Sequence, residues 1–116
     1  MNITVDQDHF TSPETAREEL AEQGLHIFEM SIPPVDNHSH WHSFSTIIYV
    51  LEGELRIVDT VSDEVMLAGP GARVSVPERV LHSEHSDGYD IVAGMSVDPA
   101  SLEGEVDLDP DLLIHE

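Results

Sequence analysis

Between residues 25 and 97 no apolar run reaches helical length before a turn signal breaks it, and this spacing constrains the fold more than any other feature of the chain. The runs are short, alternating or β-branched. They are separated by Pro33-Pro34, Glu52-Gly53, Asp59-Thr60-Val61-Ser62-Asp63, Gly69-Pro70-Gly71 and Ser86-Asp87-Gly88. Such punctuation predicts an antiparallel all-β domain with about seven strands, over 25–32, 37–42, 46–51, 54–59, 64–67, 73–76 continuing at 80–86, and 89–97. Upstream, Thr11 or Ser12 before Pro13 and Glu14 is a helix start, and Gly24 closes a segment rich in helix formers, so one short surface helix is expected over 14–23. The chain therefore divides into an N-terminal extension with a helix (1–24), a β-barrel (25–97) and a loosely attached acidic C-terminal tail (98–116). With 116 residues it builds one core and not two.

Charge narrows the partners. Four Arg and no Lys face 24 Asp plus Glu, a formal charge of -20. Nothing in the chain can grip a polyphosphate, so nucleic acid and anionic membrane are excluded as partners. No apolar run is long enough for a membrane span, and the start MNITVDQDHF lacks the basic-then-apolar order of a signal peptide, so a cytoplasmic protein is expected. Self-repulsion at this charge opposes compaction unless salt screens it, as in proteins that work in a salty cytoplasm. With no Cys there is no disulfide, no thiolate nucleophile and no sulfur ligand; a metal site must come from the eight His and the carboxylates.

The strand over 46–51, Thr-Ile-Ile-Tyr-Val-Leu, is apolar on both faces, so its outer face must be covered. The N-terminal helix, the tail or a second copy could cover it, and a homodimer is the expectation. Alternation also assigns an inward set that includes Phe28, Met30, Ile48, Val50, Leu55 and Ile57.

Alternation has a chemical consequence in Asn37-His-Ser-His-Trp-His-Ser43. Residues two apart on a strand share a face, so His38, His40 and His42 can align, and two of them can share one ion. His82 is the best third donor, because it opens the extended stretch 80–86 after Pro77-Glu78-Arg79. If it faces inward with Val80 and Glu84, His85 faces out. His9, His26 and His115 fall in surface segments.

These residues resemble the cupin superfamily, whose first motif runs G-x5-H-x-H-x3-4-E-x6-G and whose second runs G-x5-P-x-G-x2-H-x3-N. Here His40, His42, Thr46 and Gly53 follow the first motif; Gly71, Pro77, Arg79, His82 and Ser86 follow the second. The resemblance covers about residues 27–97 and implies a cupin-type jelly-roll β-barrel with a divalent transition metal (Fe, Ni, Zn, Mn or Cu) on His40, His42 and His82. If the loop after the His pair is two residues longer, the pair becomes His38 and His40. Four positions depart from the motifs: Pro34 for the first Gly, Thr46 for the Glu, Arg79 for the second Gly and Ser86 for the Asn. The Thr46 change removes the family's usual anionic ligand.

By resemblance, a three-His face open to a chelating anion suggests a mononuclear metalloenzyme, an Fe(II) dioxygenase acting on a small organic anion. A non-catalytic cupin that binds a metal or small molecule is the alternative, and a metal-dependent isomerase or lyase is another. The last would need an acid or base, for which Glu84, Tyr89 and Glu54 are the candidates. Glu84 is also the one carboxylate able to replace the missing ligand. Trp41 and Phe44 are the aromatics nearest the barrel mouth and, with Thr46, Glu84 and Tyr89, are the expected pocket residues.

Overall fold

The computed structural model describes residues 2–102, 107, 108 and 110. Ten elements organise them: β1 (Thr4–Asp6), α1 (Pro13–Glu22), β2 (His26–Ile32), β3 (Val35–Asp36), β4 (Thr46–Gly53), β5 (Leu55–Asp59), β6 (Glu64–Ala68), β7 (Arg73–Val76), β8 (His82–Ser86) and β9 (Tyr89–Met95), followed by a 3-10 turn at Pro99–Ser101. The strands form two antiparallel sheets, ordered β1-β7-β4-β9-β2 and β3-β8-β5-β6. Facing each other, they make the jelly-roll barrel that the cupin resemblance implied, with the antiparallel strands that the texture predicted. None of the described helices is long and apolar enough to cross a membrane.

The core lies between the sheets. Ile48 and Val50 of β4, Leu55 and Ile57 of β5, Val74 of β7 and Ile91 of β9 are buried together there. Burying each such side chain stabilises the fold by about 1.5–3 kcal/mol. Met30, assigned inward by alternation, is instead 49% exposed. The reason is that β2 is the outer strand of its sheet and has a neighbour, β9, on one side only.

On its other face, β4 turns Ile47, Tyr49 and Leu51 toward Phe10 and toward Ala16 and Leu20 of α1. The helix thus covers the surface for which a second copy was expected, and that surface gives no reason for a dimer. Ser12 caps α1 by accepting from Thr15 N at 3.4 Å, with Pro13 at the first helical position. Gly24, at φ +69°, ends it and lets Leu25 N reach Leu20 O at 3.2 Å. Gly94 is needed for contact between helix and sheet, since a Cβ there would lie 2.9 Å from both Leu20 Cδ2 and Leu25 Cβ.

The termini are less separate than their composition implies. β1, inside the supposed extension, pairs with β7. Leu108, in the tail, forms a β-bridge with Trp41 through Trp41 N to Leu108 O at 3.2 Å and Leu108 N to Trp41 O at 3.0 Å. The strand expected over 37–42 is also broken. Asn37 inserts its side chain into the ladder, its Oδ1 accepting from Glu84 N at 2.6 Å, and pairing resumes only at His40. Period-two reasoning therefore fails at His38, which is exposed.

Candidate metal centre

His40 and His82 are paired through both backbone groups, each N–H reaching the other's carbonyl at 2.9 Å. That pair sets their rings 4.4 Å apart. Two residues along β8, on the face shared with His82, Glu84 joins them. His42 completes the group, with ring centroids 5.0 Å from His40 and 5.1 Å from His82. One donor atom from each of His40, His42, His82 and Glu84 lies within 4.8 Å of the others.

Ring orientation follows from the backbone. His40 Nδ1 lies 2.7 Å from His38 O, and His82 Nδ1 lies 2.8 Å from Val80 O. A carbonyl only accepts, so each Nδ1 carries the proton and each Nε2 presents its lone pair. His42 is held differently. Its ring stacks on Phe44 at 5.0 Å with a 14° tilt, and its carbonyl accepts from Arg79 N at 2.8 Å. Arg79 takes φ +65°, the left-handed conformation that the motif's glycine would supply.

His40 Nε2 is the anomaly. Its residue is 5% exposed, and among the described side chains it is the buried polar atom without a hydrogen-bond partner. Glu84 Oε1 stands 3.3 Å from it and 3.7 Å from His82 Nε2. Asp107 Oδ1 stands 3.8 Å from His40 Nε2 and 3.7 Å from His42 Nδ1. Donors bound to one transition ion at about 2.1 Å are themselves separated by roughly 3–4 Å, so the spacings among His40, His42, His82 and Glu84 fit a shared ion, and Asp107 stands beside that group. The donor set, neutral imidazole with carboxylate, suits a divalent transition metal.

Burial alone would raise the Glu84 carboxyl, but contacts with His40 and His82 outweigh it and hold the group well below the usual carboxylate range. Burial lowers His40, and the adjacent Glu84, the His38 carbonyl and Asp107 more than offset it, giving a net rise. Tyr89, 5% exposed, points its hydroxyl to Glu84 Oε2 at 3.5 Å; burial, then the Glu84 charge, pushes the phenol up.

The remaining sequence-derived residues fall outside this group. His38 contributes its carbonyl and not its ring. Phe44, 4% exposed, supports His42 from behind. Trp41 is half-buried on the bridge to Leu108, and Thr46 opens β4 opposite Val76 and Met95. His85 faces away with Ser83, its Nε2 3.0 Å from Ser83 Oγ, and its Nδ1 meets Asp36. His9 binds Glu19 at 2.7 Å, His26 is exposed, and His115 lies outside the described residues. Sequence reasoning missed Asp107, because its approach depends on a pairing between residues 41 and 108 that no local pattern encodes.

No protein-family model matches the sequence, and a search of curated proteins finds no match. Solved structures do match. A DUF861 family protein from Thermotoga maritima overlays at a TM-score of 0.55 and 13% identity, covering 84% of this chain and 100% of the other. The TDP-quinovose 3,4-ketoisomerase WlaRB from Campylobacter jejuni overlays at 0.55 and 12% identity, covering 72% and 68%. The polyketide cyclase RemF from Streptomyces resistomycificus overlays at 0.52 and 20% identity, covering 69% and 62%. Two facing antiparallel sheets, three imidazoles gathered at the motif positions beside a carboxylate from outside them, and these overlays together give the chain the fold of a cupin-type β-barrel.

Proposed function

We propose that the protein is a mononuclear divalent-metal cupin in which His40, His42, His82 and Glu84 are the protein donors and a small organic anion is the substrate or ligand. One observation carries this reading: His40 Nε2, buried, oriented and without a hydrogen bond, is gathered with donor atoms of His42, His82 and Glu84 all within 4.8 Å of one another. A buried polar atom left this way costs about 1–3 kcal/mol, and a bound cation would recover that cost. Glu84 takes over the anionic role that Thr46 leaves empty. With three neutral imidazoles and one carboxylate, a divalent ion keeps a net charge of about +1, enough to attract an anion.

Loaded with iron, such a centre would supply oxygen activation beside a chelated anion, which is the dioxygenase reading. The chain's own residues prepare it. The carbonyls of His38 and Val80 fix two ring tautomers, Phe44 and Arg79 hold His42 in place, Glu84 stays ionised and Tyr89 keeps its proton. General acid–base catalysis works best with groups that titrate near the working pH. Glu84, as a metal donor, has no free role as acid or base, which leaves an isomerase or lyase without a general base at the centre.

A non-catalytic metal-binding cupin is the second reading. It needs only the four-donor group itself and no bound substrate.

Elemental analysis and chelator competition test the centre. Wild type should hold one ion per chain, while His40→Ala and His82→Ala should hold none with the β-sheet circular dichroism intact. His42→Ala should lose metal and His38→Ala should keep it; the reverse order would assign the shifted pair. Wild type without stoichiometric metal removes the proposal. Oxygen uptake with small organic acids then separates the dioxygenase from the binding protein.

A further inference from the structure

Asp107 approaches the centre from a part of the chain that the cupin motifs do not include. Its Oδ1 lies 3.8 Å from His40 Nε2 and 3.7 Å from His42 Nδ1, while Glu84 sits against His40 and His82. The two carboxylates therefore share His40 and otherwise touch different imidazoles. They also differ in access to water, since the Glu84 side chain is 19% exposed and the Asp107 side chain 59%. Asp107 is held in place by its neighbour Leu108, whose two backbone hydrogen bonds to Trp41 fix it one residue from each of His40 and His42.

We propose that Asp107 is a displaceable carboxylate ligand of the metal centre: a tethered internal anion that occupies the face an incoming small anion must take. The proposal rests on the metal-centre reading above. Spacing supports a role on one side of the centre, because 3.7–3.8 Å to the His40 and His42 nitrogens is within the roughly 3–4 Å that separates donors on one ion, while Asp107 lies outside the four-donor group and reaches only these two of its members. Solvent exposure supports displacement, because a half-exposed carboxylate regains hydration when it leaves whereas Glu84 would remain buried and unpaired. Tethering supports competition, because a group fixed next to the ion acts at high effective concentration without being free in solution. Selectivity follows. An anion with a single weak donor, such as azide, displaces Asp107 less readily than a chelating anion with two donors.

The test uses the full chain loaded with Co(II), whose visible spectrum reports its ligands, with azide as the probe anion. Asp107→Asn should lower Co(II) affinity in chelator competition by about tenfold, change the Co(II) spectrum, and strengthen azide binding. Leu108→Pro, which removes the N–H donated to Trp41, should do the same without altering the carboxylate. Glu18→Gln, an equal charge loss on α1, should alter neither. Asp107→Asn with wild-type Co(II) affinity and wild-type azide affinity overturns the proposal. So does a variant that weakens both, since Asp107 would then be a support and not a competitor. Leu108→Pro with both values unchanged overturns the tether. If His82→Ala also keeps its Co(II), the metal-centre reading itself has failed; if only the Asp107 variants behave as wild type, that reading stands and the ligand role alone is lost.

Discussion

Arg79 occupies the place of a motif glycine and adopts the conformation that a glycine would. Its φ of +65° costs an L-residue about 1–2 kcal/mol, and its N–H holds the His42 carbonyl at 2.8 Å. Glycine would remove that cost and return about 0.5–1 kcal/mol as lost backbone entropy. Arg79→Gly should therefore stabilise the fold by somewhat under 1 kcal/mol, a rise of about 3 °C in melting temperature, with metal retention unchanged. A lower melting temperature would show that the Arg79 side chain contributes more than its backbone costs. Ser86 solves the second departure by another route: its hydroxyl donates to Glu54 O at 2.6 Å and accepts from Gly88 N at 3.0 Å, closing the turn before β9. Gly53, across that turn, cannot change, because a Cβ would lie 2.4 Å from Gly88 O.

At the scale of elements, α1 is joined to the sheet by a polar chain as well as by Leu20. Tyr49 is fully buried, donates to Glu19 Oε1 at 2.6 Å and accepts from Arg73 Nε at 3.3 Å, and His9 reaches the same Glu19 oxygen. Hydrogen bonds from Tyr49 and His9 hold the Glu19 carboxyl below its ordinary value. A carboxyl depressed in the folded state contributes stability above its unfolded pKa, and that stability is lost as pH falls through the folded value. Glu19→Gln should thus cost about 1 kcal/mol at pH 7, after allowance for the partly exposed carboxylate. The penalty should vanish in acid, below the ordinary carboxylate range. Urea melts of both proteins at neutral and acid pH measure this, and a penalty of equal size at both would place it in packing and not in charge.

The whole molecule carries -20 with four Arg, among them Arg17, paired with Glu29 at 2.6 Å, and Arg73, paired with Asp6 at 3.6 Å. Among the described residues most carboxylates are exposed, so their mutual repulsion is long-range and open to screening. Raising salt from dilute buffer to about 1 M shortens the Debye length to about 3 Å and should raise the melting temperature. Potassium chloride is the decisive salt, because sulfate also strengthens apolar burial. A flat or falling curve in chloride would falsify the view that repulsion limits this fold.

Local order was legible in the sequence wherever one residue type enforces one backbone state. Gly53, Gly71 and Pro77 mark bends, Ser12-Pro13 starts the helix, and alternation in β4, β5 and β7 separates core from surface, because a strand's period is fixed by covalent geometry. The same rule put His82 and Glu84 on one face and His85 on the other. Alternation failed where its premise did: Asn37 replaces a ladder bond with its side chain, so His38 drops out of line, and the edge position of β2 leaves Met30 in water. Thr46 marked a missing charge without saying what supplies it. That Glu84 and Asp107 meet His40 from two directions, and that α1 and not a second copy covers Tyr49, only the tertiary structure decided, because each is a contact between distant segments whose geometry no local pattern specifies.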